Sequence, residues 1–209
     1  MANNRLNQSL VLEFNNKGSL LTHYPMHASG NGEDVFVLED DFLVLHFNKD
    51  SGRILLPDTN VVSNKPLDYY GLHRINKSGV VKWSKYFNWP FTGFGYAITN
   101  QRVAGSTYIY YLNRVYSGTR LYKIDLDGNL VDSIGINANV NRVVIDGNGK
   151  LILTGQFWGD FNFQGKNISM ANTASPFILK LTDDLDYLWH YNLSENDSWT
   201  SVECLLIHI

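Results

Sequence analysis

One hairpin pattern occurs four times along the chain, and this internal repeat limits the possible folds more than any other feature. The four copies read LVLEFNNKGSLLTHYPM from Leu10, GLHRINKSGVVKWSKYF from Gly71, RLYKIDLDGNLVDSIGI from Arg120 and FILKLTDDLDYLWHYNL from Phe177. Three copies carry a glycine at the same turn position, namely Gly18, Gly79 and Gly128. Glycine supplies the positive φ that tight hairpin turns require. The fourth copy has Leu185 there, which predicts a different turn for that copy.

Two further positions recur ahead of each turn. An apolar residue lies four places before the turn position in every copy: Phe14, Ile75, Ile124 and Leu181. A charged residue immediately precedes each of these: Glu13, Arg74, Lys123 and Lys180. Two copies place a tryptophan four residues after the turn position, Trp83 and Trp189. We interpret both tryptophans as packing residues between neighbouring repeats. The neighbouring histidines, His73 and His190, are predicted to lie on sheet faces.

A strand, turn and strand precede three of the hairpins, in residues 35–47, 95–115 and 141–157. The turn positions are roughly 50 to 60 residues apart, and no long segment shows helical periodicity. Short runs of Val, Ile, Leu, Tyr and Phe alternate with Gly, Asn and Asp turns, a pattern typical of strands. The sequence therefore predicts an all-β chain with four antiparallel strands in each repeat.

Residues 141–193 resemble a blade of the SBBP-type bacterial β-propeller repeat family. Its motifs occur here in order as Asp146–Gly149, Thr154–Phe157, Asp160–Phe161, Phe177–Lys180 and Leu188–Trp189. The similarity is weaker in the other repeats. It implies a β-propeller of four-stranded antiparallel blades. It implies no catalytic residue, because the repeats define none.

On this reading, one β-propeller, or part of one, has three complete blades at about 33–87, 95–136 and 139–193. Residues 8–26 and 199–209 would supply strands of an incomplete or shared blade. Unpaired strand edges favour aggregation unless they are covered. Three hypotheses therefore stand side by side. Two copies complete each other's blade, one chain closes a small four-bladed ring, or the chain is a fragment of a longer propeller.

Composition excludes several classes of function. The 209 residues contain 17 Lys and Arg against 20 Asp and Glu, without a basic cluster, which argues against nucleic-acid binding. No apolar run reaches the ~18 residues of a membrane helix. MANNRLNQSL has no apolar h-region, so no signal peptide is predicted, and the localisation stays open. The single cysteine, Cys204, lies in an apolar run and is predicted to be a buried structural thiol.

The candidate metal ligands fit local structure better than they fit a metal site, so no cofactor or metal is predicted. Asp125, Asp127 and Asn129 alternate as in a calcium loop, but the EF-hand glycine and glutamate are missing from their positions. His23 and His27 are four residues apart with Pro25 between them, which argues against a helical ligand pair.

The carboxylate runs Glu39-Asp40-Asp41 and Asp183-Asp184 are predicted to lie in solvated turns. A pair of glycosidase-type catalytic acids is the alternative interpretation, and it requires a specific separation of the two carboxyl groups.

Three tryptophans outside the predicted strand centres are the candidate ligand-binding residues: Trp89, Trp158 and Trp199. Tryptophan beside Asn, Asp and Gly in loops suits the stacking of sugar rings, and anchoring between blades is the alternative. The leading hypothesis is a non-catalytic binding or scaffold module whose loops engage a protein or a glycan. The alternatives are a hydrolase or lyase at the mouth of a central channel, and a propeller fragment that assembles with a second copy.

Overall fold

The computed structural model describes residues 9–26, 31–38, 40–48, 53–56, 59–62, 69–88, 98–103, 106–115, 118–157, 159–169 and 175–192. The chain divides into two compact units, Met1–Trp89 and Pro90–Ile209. Every regular element in the described ranges is a β-strand. None of the described residues forms a helix long and apolar enough to cross a membrane.

The first unit contains a hairpin and a four-stranded sheet. The hairpin pairs β1 (Ser9–Phe14) with β2 (Leu20–Met26). The first sheet has the order β3-β4-β7-β8, formed by Asn31–Val37, Asp41–Asn48, Tyr69–Asn76 and Val81–Asn88. A separate small hairpin, β5 (Arg53–Leu56) with β6 (Thr59–Val62), occupies the connection between β4 and β7.

The second unit contains two four-stranded sheets. The second sheet is a meander of β9 to β12, formed by Ile98–Val103, Ser106–Val115, Gly118–Asp125 and Leu130–Ile136. The third sheet has the order β13-β14-β17-β18, formed by Asn139–Ile145, Leu151–Phe157, Ser175–Leu181 and Tyr187–Asn192. The hairpin of β15 (Phe161–Phe163) and β16 (Lys166–Ile168) lies in the connection between β14 and β17.

The predicted all-β class is confirmed for the described residues, and all their strand pairs are antiparallel. The three four-stranded sheets span residues 31–88, 98–136 and 139–192, beside predicted repeat bounds of 33–87, 95–136 and 139–193. The arrangement of these sheets as propeller blades stays a prediction. Residues 199–209, predicted to supply a strand, lie outside the described residues.

The same five-residue turn occurs in all four repeated hairpins and in the β13–β14 connection. Its first residue exchanges backbone hydrogen bonds with the fourth and fifth, as in Asn15 with Gly18 and Ser19. The first side chain accepts backbone N–H bonds that close the loop, from two residues in the Asn and Asp copies. The first residues are Asn15, Asn76, Asp125, Asp146 and Thr182. Asp125, which the sequence also allowed as a residue of a calcium loop, thus closes a hairpin turn.

The prediction of a different turn at Leu185 is wrong. Leu185 adopts φ 65°, close to the 80° of Gly128, and Thr182 makes the same backbone bonds to Leu185 and Asp186. The Leu185 side chain is buried in the core of the second unit. Burying a leucine contributes about 1.5–3 kcal/mol. That gain offsets a left-handed backbone cost of about 1–2 kcal/mol, so glycine is not required.

Replacing Leu185 tests this balance directly. Leu185→Ala removes the buried isobutyl group but keeps a β-carbon at positive φ, whereas Leu185→Gly removes the strain as well. We expect both variants to be less stable than wild type by roughly 2–4 kcal/mol. We expect the glycine variant to be the more stable of the two by about 1 kcal/mol. Urea denaturation measures both differences, and an alanine variant more stable than the glycine variant would refute the balance.

The second and third sheets pack face to face around a shared core. We call the side of a sheet that carries Arg74, Lys123 or Lys180 its cation face, and the other side its reverse face. Tyr110, Leu112 and Leu121 on the cation face of the second sheet share one buried cluster with the reverse face of the third. The rings of Phe157 and Phe177 from the third sheet pack edge to face, with 5.7 Å between their centres. The sheet-to-sheet contact is therefore largely apolar.

Candidate functional site

One ion pair joins the second and third sheets at the turn between β17 and β18, and another holds this turn within the third sheet. Lys150 Nζ lies 2.9 Å from Asp183 Oδ1, and Lys123 Nζ lies 3.2 Å from Asp184 Oδ1. The Tyr110 hydroxyl donates to the backbone carbonyl of Asp183 at 3.2 Å. Lys123 is itself buried and lies 4.3 Å from the centre of the Tyr108 ring. The turn is thus held by charged and polar groups from two sheets.

Gln164 braces the same turn from the small β15–β16 hairpin. Its Nε2 donates to the carbonyl of Leu185 at 3.1 Å, and its Oε1 accepts the N–H of Tyr187 at 2.6 Å. Gln164 has φ 48°, so it and Leu185 are the two positive-φ residues other than glycine in the described part of the chain. Backbone strain of this kind persists where the surroundings determine it. Here the two strained residues hold each other in place.

The electrostatics of this turn suit structural ion pairs. The hydrogen bond from Lys150 holds the pKa of Asp183 below its ordinary value and outweighs the effect of burial. Burial raises the pKa of Tyr110, and the charges of Asp183 and Asp184 raise it further. At neutral pH the Asp183 carboxylate is therefore ionised and the Tyr110 phenol keeps its proton. A catalytic general acid needs a carboxyl group with a raised pKa, which is the opposite of what Asp183 has.

The recurring third-strand cation has a structural partner in each four-stranded sheet. Arg74 and Lys82 both contact Asp41 Oδ2, Lys123 pairs with Asp184, and Lys180 lies 2.6 Å from Asp146 Oδ2. The Asp41 side chain is only 2% exposed. The prediction of solvated carboxylates is therefore wrong for Asp41, while Asp183 is half-buried in its turn and Asp40 and Asp184 are exposed. Glu39 lies outside the described residues.

Acid is expected to weaken the Asp146 contact in a defined pH range. Burial works to raise the Asp146 pKa, but hydrogen bonds from Lys180 and two backbone N–H groups lower it overall. A carboxyl with a lowered folded pKa stabilises the fold above its unfolded pKa of about 3.9, and that stability is lost as pH falls through the folded value. We therefore expect the wild-type advantage over Asp146→Asn to be constant from pH 7 to 5 and to shrink below about pH 4. Urea denaturation across that range measures it, and an advantage independent of pH would contradict the assignment.

Two aromatic side chains lie exposed on the outer strand of the third sheet. Trp189 and Tyr191 in β18 are 42% and 58% exposed, and they share the cation face with Lys180 and Ile178. The Lys180 ammonium lies 5.8 Å from the centre of the Trp189 ring. Trp189 is thus exposed in the single chain, whereas Trp83 in the first sheet is partly buried, and the packing of these tryptophans between repeats stays a prediction. Trp189 and Tyr191 are two residues apart in the strand sequence YLWHYN, and this spacing places them on one face of the sheet.

The histidines of the repeated hairpins lie on sheet faces. His73 is fully buried, and its Nδ1 lies 2.7 Å from Ser84 Oγ. His190 is partly buried, and its Nδ1 lies 2.9 Å from the Tyr187 hydroxyl. Among the residues that the structure describes, no three metal-binding side chains gather into a group. His27 and Cys204 lie outside the described residues.

The three tryptophans predicted to bind a ligand, Trp89, Trp158 and Trp199, also lie outside the described residues. Their role stays a prediction. What the structure brings together is a different set, which the sequence did not mark as a ligand surface. It consists of Ile178, Trp189 and Tyr191 on the cation face of the third sheet.

Comparisons with known proteins give no name to this arrangement. No protein-family model matches the chain, and no curated protein matches it. A crystal structure of a protein of unknown function from Bacteroides caccae aligns with 88% of this chain and 93% of its own. The two share 8% sequence identity, and the TM-score is 0.31. A similarity of this size establishes neither a common fold nor a function.

Proposed function

We propose that the chain is a non-catalytic binding or scaffold module with the architecture of a β-propeller. Three four-stranded antiparallel sheets with the same hairpin turn support this proposal. The packing of the second sheet's cation face on the third sheet's reverse face is the contact that neighbouring blades would make. The repeat family that residues 141–193 resemble is consistent with the same architecture.

The observation that carries the binding role is the exposed aromatic pair on β18. Trp189 and Tyr191 present large ring surfaces to the outside of the sheet. Their strand, β18, is held in place by its pairing with β17. Aromatic side chains of this kind supply contact area at a low entropy cost, and they are enriched at binding surfaces. The ligand is a protein or a glycan, since both offer apolar surface to an aromatic face.

The ion-paired carboxylates favour this proposal over an enzyme. Asp146 and Asp183 have lowered pKa values because lysine side chains donate hydrogen bonds to them. Such groups serve the fold through their partners, and Asp183 in addition fixes the turn that supports β18. A hydrolase or lyase whose general acid is a carboxyl group would require that group to have a raised pKa.

Binding and turnover can be measured on the same preparation. We expect glycan-array binding or self-association that is reduced in Trp189→Ala and unchanged in Leu130→Ala, a control on a still more exposed side chain of β12. We expect no turnover of chromogenic glycosides, esters or phosphates above the uncatalysed rate. Turnover that falls in Asp183→Asn would overturn the proposal in favour of the enzyme. A folded protein with neither glycan binding nor self-association would also contradict it.

A further inference from the structure

The second and third sheets show how consecutive repeats of this chain pack. Leu121 on the cation face of the second sheet and Leu179 and Leu181 on the reverse face of the third are fully buried in one cluster. Tyr110 closes the contact with its hydrogen bond to the Asp183 carbonyl. A cation face therefore binds the reverse face of the repeat that follows.

Strand register identifies the corresponding residues in the β1–β2 hairpin. Glu13 pairs with Thr22 and Phe14 with Leu20, just as Lys180 pairs with Trp189 and Leu181 with Tyr187, with the same register shift between the two pairs. Leu12 and Phe14 thus occupy the reverse-face positions of Leu179 and Leu181. They are 44% and 52% exposed, whereas Leu179 and Leu181 are fully buried. The hairpin therefore has an apolar reverse face with two exposed side chains.

The third sheet has the complementary surface uncovered. Its Ile178 and Tyr191 correspond by register to Leu121 and Ile134 of the second sheet. Leu121 is fully buried and Ile134 packs against the core, but Ile178 is only partly buried and Tyr191 is 58% exposed. Trp189 extends this surface along the same strand. Ile152 and Thr154, on the inner strand of this face, are already buried. The uncovered part is therefore the outer half of the cation face.

We propose that a second copy of this chain covers both surfaces. The third-sheet surface of one copy, formed by Ile178, Trp189 and Tyr191, packs on Leu12 and Phe14 of the other copy. The contact continues the packing that the second and third sheets already make within one chain. This inference rests on the proposed binding function and names its partner.

The charges and symmetry of the contact agree with this arrangement. Lys180, which lies on the covered face, has its charge compensated by Asp146 at 2.6 Å, so covering it buries no unpaired cation. The contact joins two different surfaces, so the third sheet of each copy can pack on the hairpin of the other copy. Two such contacts related by a two-fold axis close a dimer. Apolar and aromatic side chains at the centre of an interface carry most of its binding energy.

Sedimentation equilibrium over a range of protein concentrations tests the proposal. We expect the wild-type protein to reach twice the single-chain mass of 23.8 kDa. Phe14→Glu and Tyr191→Glu each place a charge in the contact, and we expect each to weaken dimerisation by roughly tenfold or more. Leu130→Glu, on neither surface, should leave it unchanged. Circular dichroism and a melting curve confirm that each variant is folded.

A mixture of the two variants tests which surfaces meet. A Tyr191→Glu copy still has an intact hairpin, and a Phe14→Glu copy still has an intact third sheet, so together they form one unaltered contact. We expect the mixture to associate more strongly than either variant alone. A monomeric wild type, variants without effect, or a mixture that regains nothing would each overturn the inference. Glycan binding by a strictly monomeric protein would overturn this inference alone and leave the proposed function standing.

Discussion

Gly155→Ala is expected to destabilise the second unit by about 3 kcal/mol, or to prevent its folding. A β-carbon at Gly155 would lie 2.0 Å from the carbonyl oxygen of Asn139 and 2.8 Å from the α-carbon of Val140. Both are backbone atoms of β13, so no side chain can rotate away to make room. The register of β13 shifts between Val140 and Arg142, beside the pairing of Val140 with Gly155. The missing side chain therefore allows the close approach of the two strands.

Gly135→Ala is the matched control for this variant. Gly135 also lies in a strand, but a β-carbon there would meet no atom within 4 Å. We expect its stability to change by less than about 1 kcal/mol, because a compatible glycine-to-alanine change mainly reduces the entropy of the unfolded chain. Thermal and urea unfolding of both variants give the comparison. Equal effects of the two substitutions would contradict the role assigned to close approach at Gly155.

The hairpins could be predicted from the sequence because their signals are local. Gly18, Gly79 and Gly128 mark positive-φ positions within a few residues of the strands they join. Leu185 shows the limit of this rule. Whether a leucine tolerates positive φ depends on the core that buries it and on Gln164, which lies in another hairpin. Neither contact is local, so the exception could not be predicted from the turn sequence.

The candidate surface was predicted less well, for a related reason. The recurrence of a cation in the third strand was visible, but its carboxylate partner changes from repeat to repeat. Arg74 uses an aspartate at the start of β4, Lys180 one in the β13–β14 turn, and Lys123 one in the next sheet. Burial of Asp41 follows from tertiary packing, which composition does not reveal. The exposure of Trp189 likewise depends on tertiary contacts, which the sequence of its strand does not reveal.

The repeat accounts for the two exposed apolar surfaces that we propose to meet in a dimer. A repeated sheet buries its two apolar faces only against neighbours, so any repeat without one leaves a face exposed. Leu12 and Phe14 on one side and Trp189 and Tyr191 on the other are such exposed residues, and they occupy opposite faces in the repeat. A second copy carries both of these surfaces, and this is why we propose it as the partner.

Thr119→Val is expected to destabilise the second unit by about 2–4 kcal/mol, although valine has nearly the same shape as threonine. The buried Thr119 hydroxyl donates to the carbonyl of Ala138 and accepts the N–H of Val140, both at 2.9 Å. It thereby ties the second sheet to the start of β13. Valine would leave the Ala138 carbonyl and the Val140 N–H without the hydrogen bonds that the Thr119 hydroxyl makes to them. An unpaired buried polar group costs about 1–3 kcal/mol.

Thr119→Ser separates the contribution of the hydroxyl to stability from that of the methyl group. Serine can keep both hydrogen bonds and loses only one methyl, so we expect a cost of about 1 kcal/mol. Urea denaturation gives the two free energies of unfolding, and hydrogen exchange at the Val140 amide reports the bond itself. Exchange should accelerate in the valine variant beyond the change in global stability and stay slow in the serine variant. A valine variant as stable as the serine variant would show that packing, and not this hydroxyl, joins the second sheet to β13.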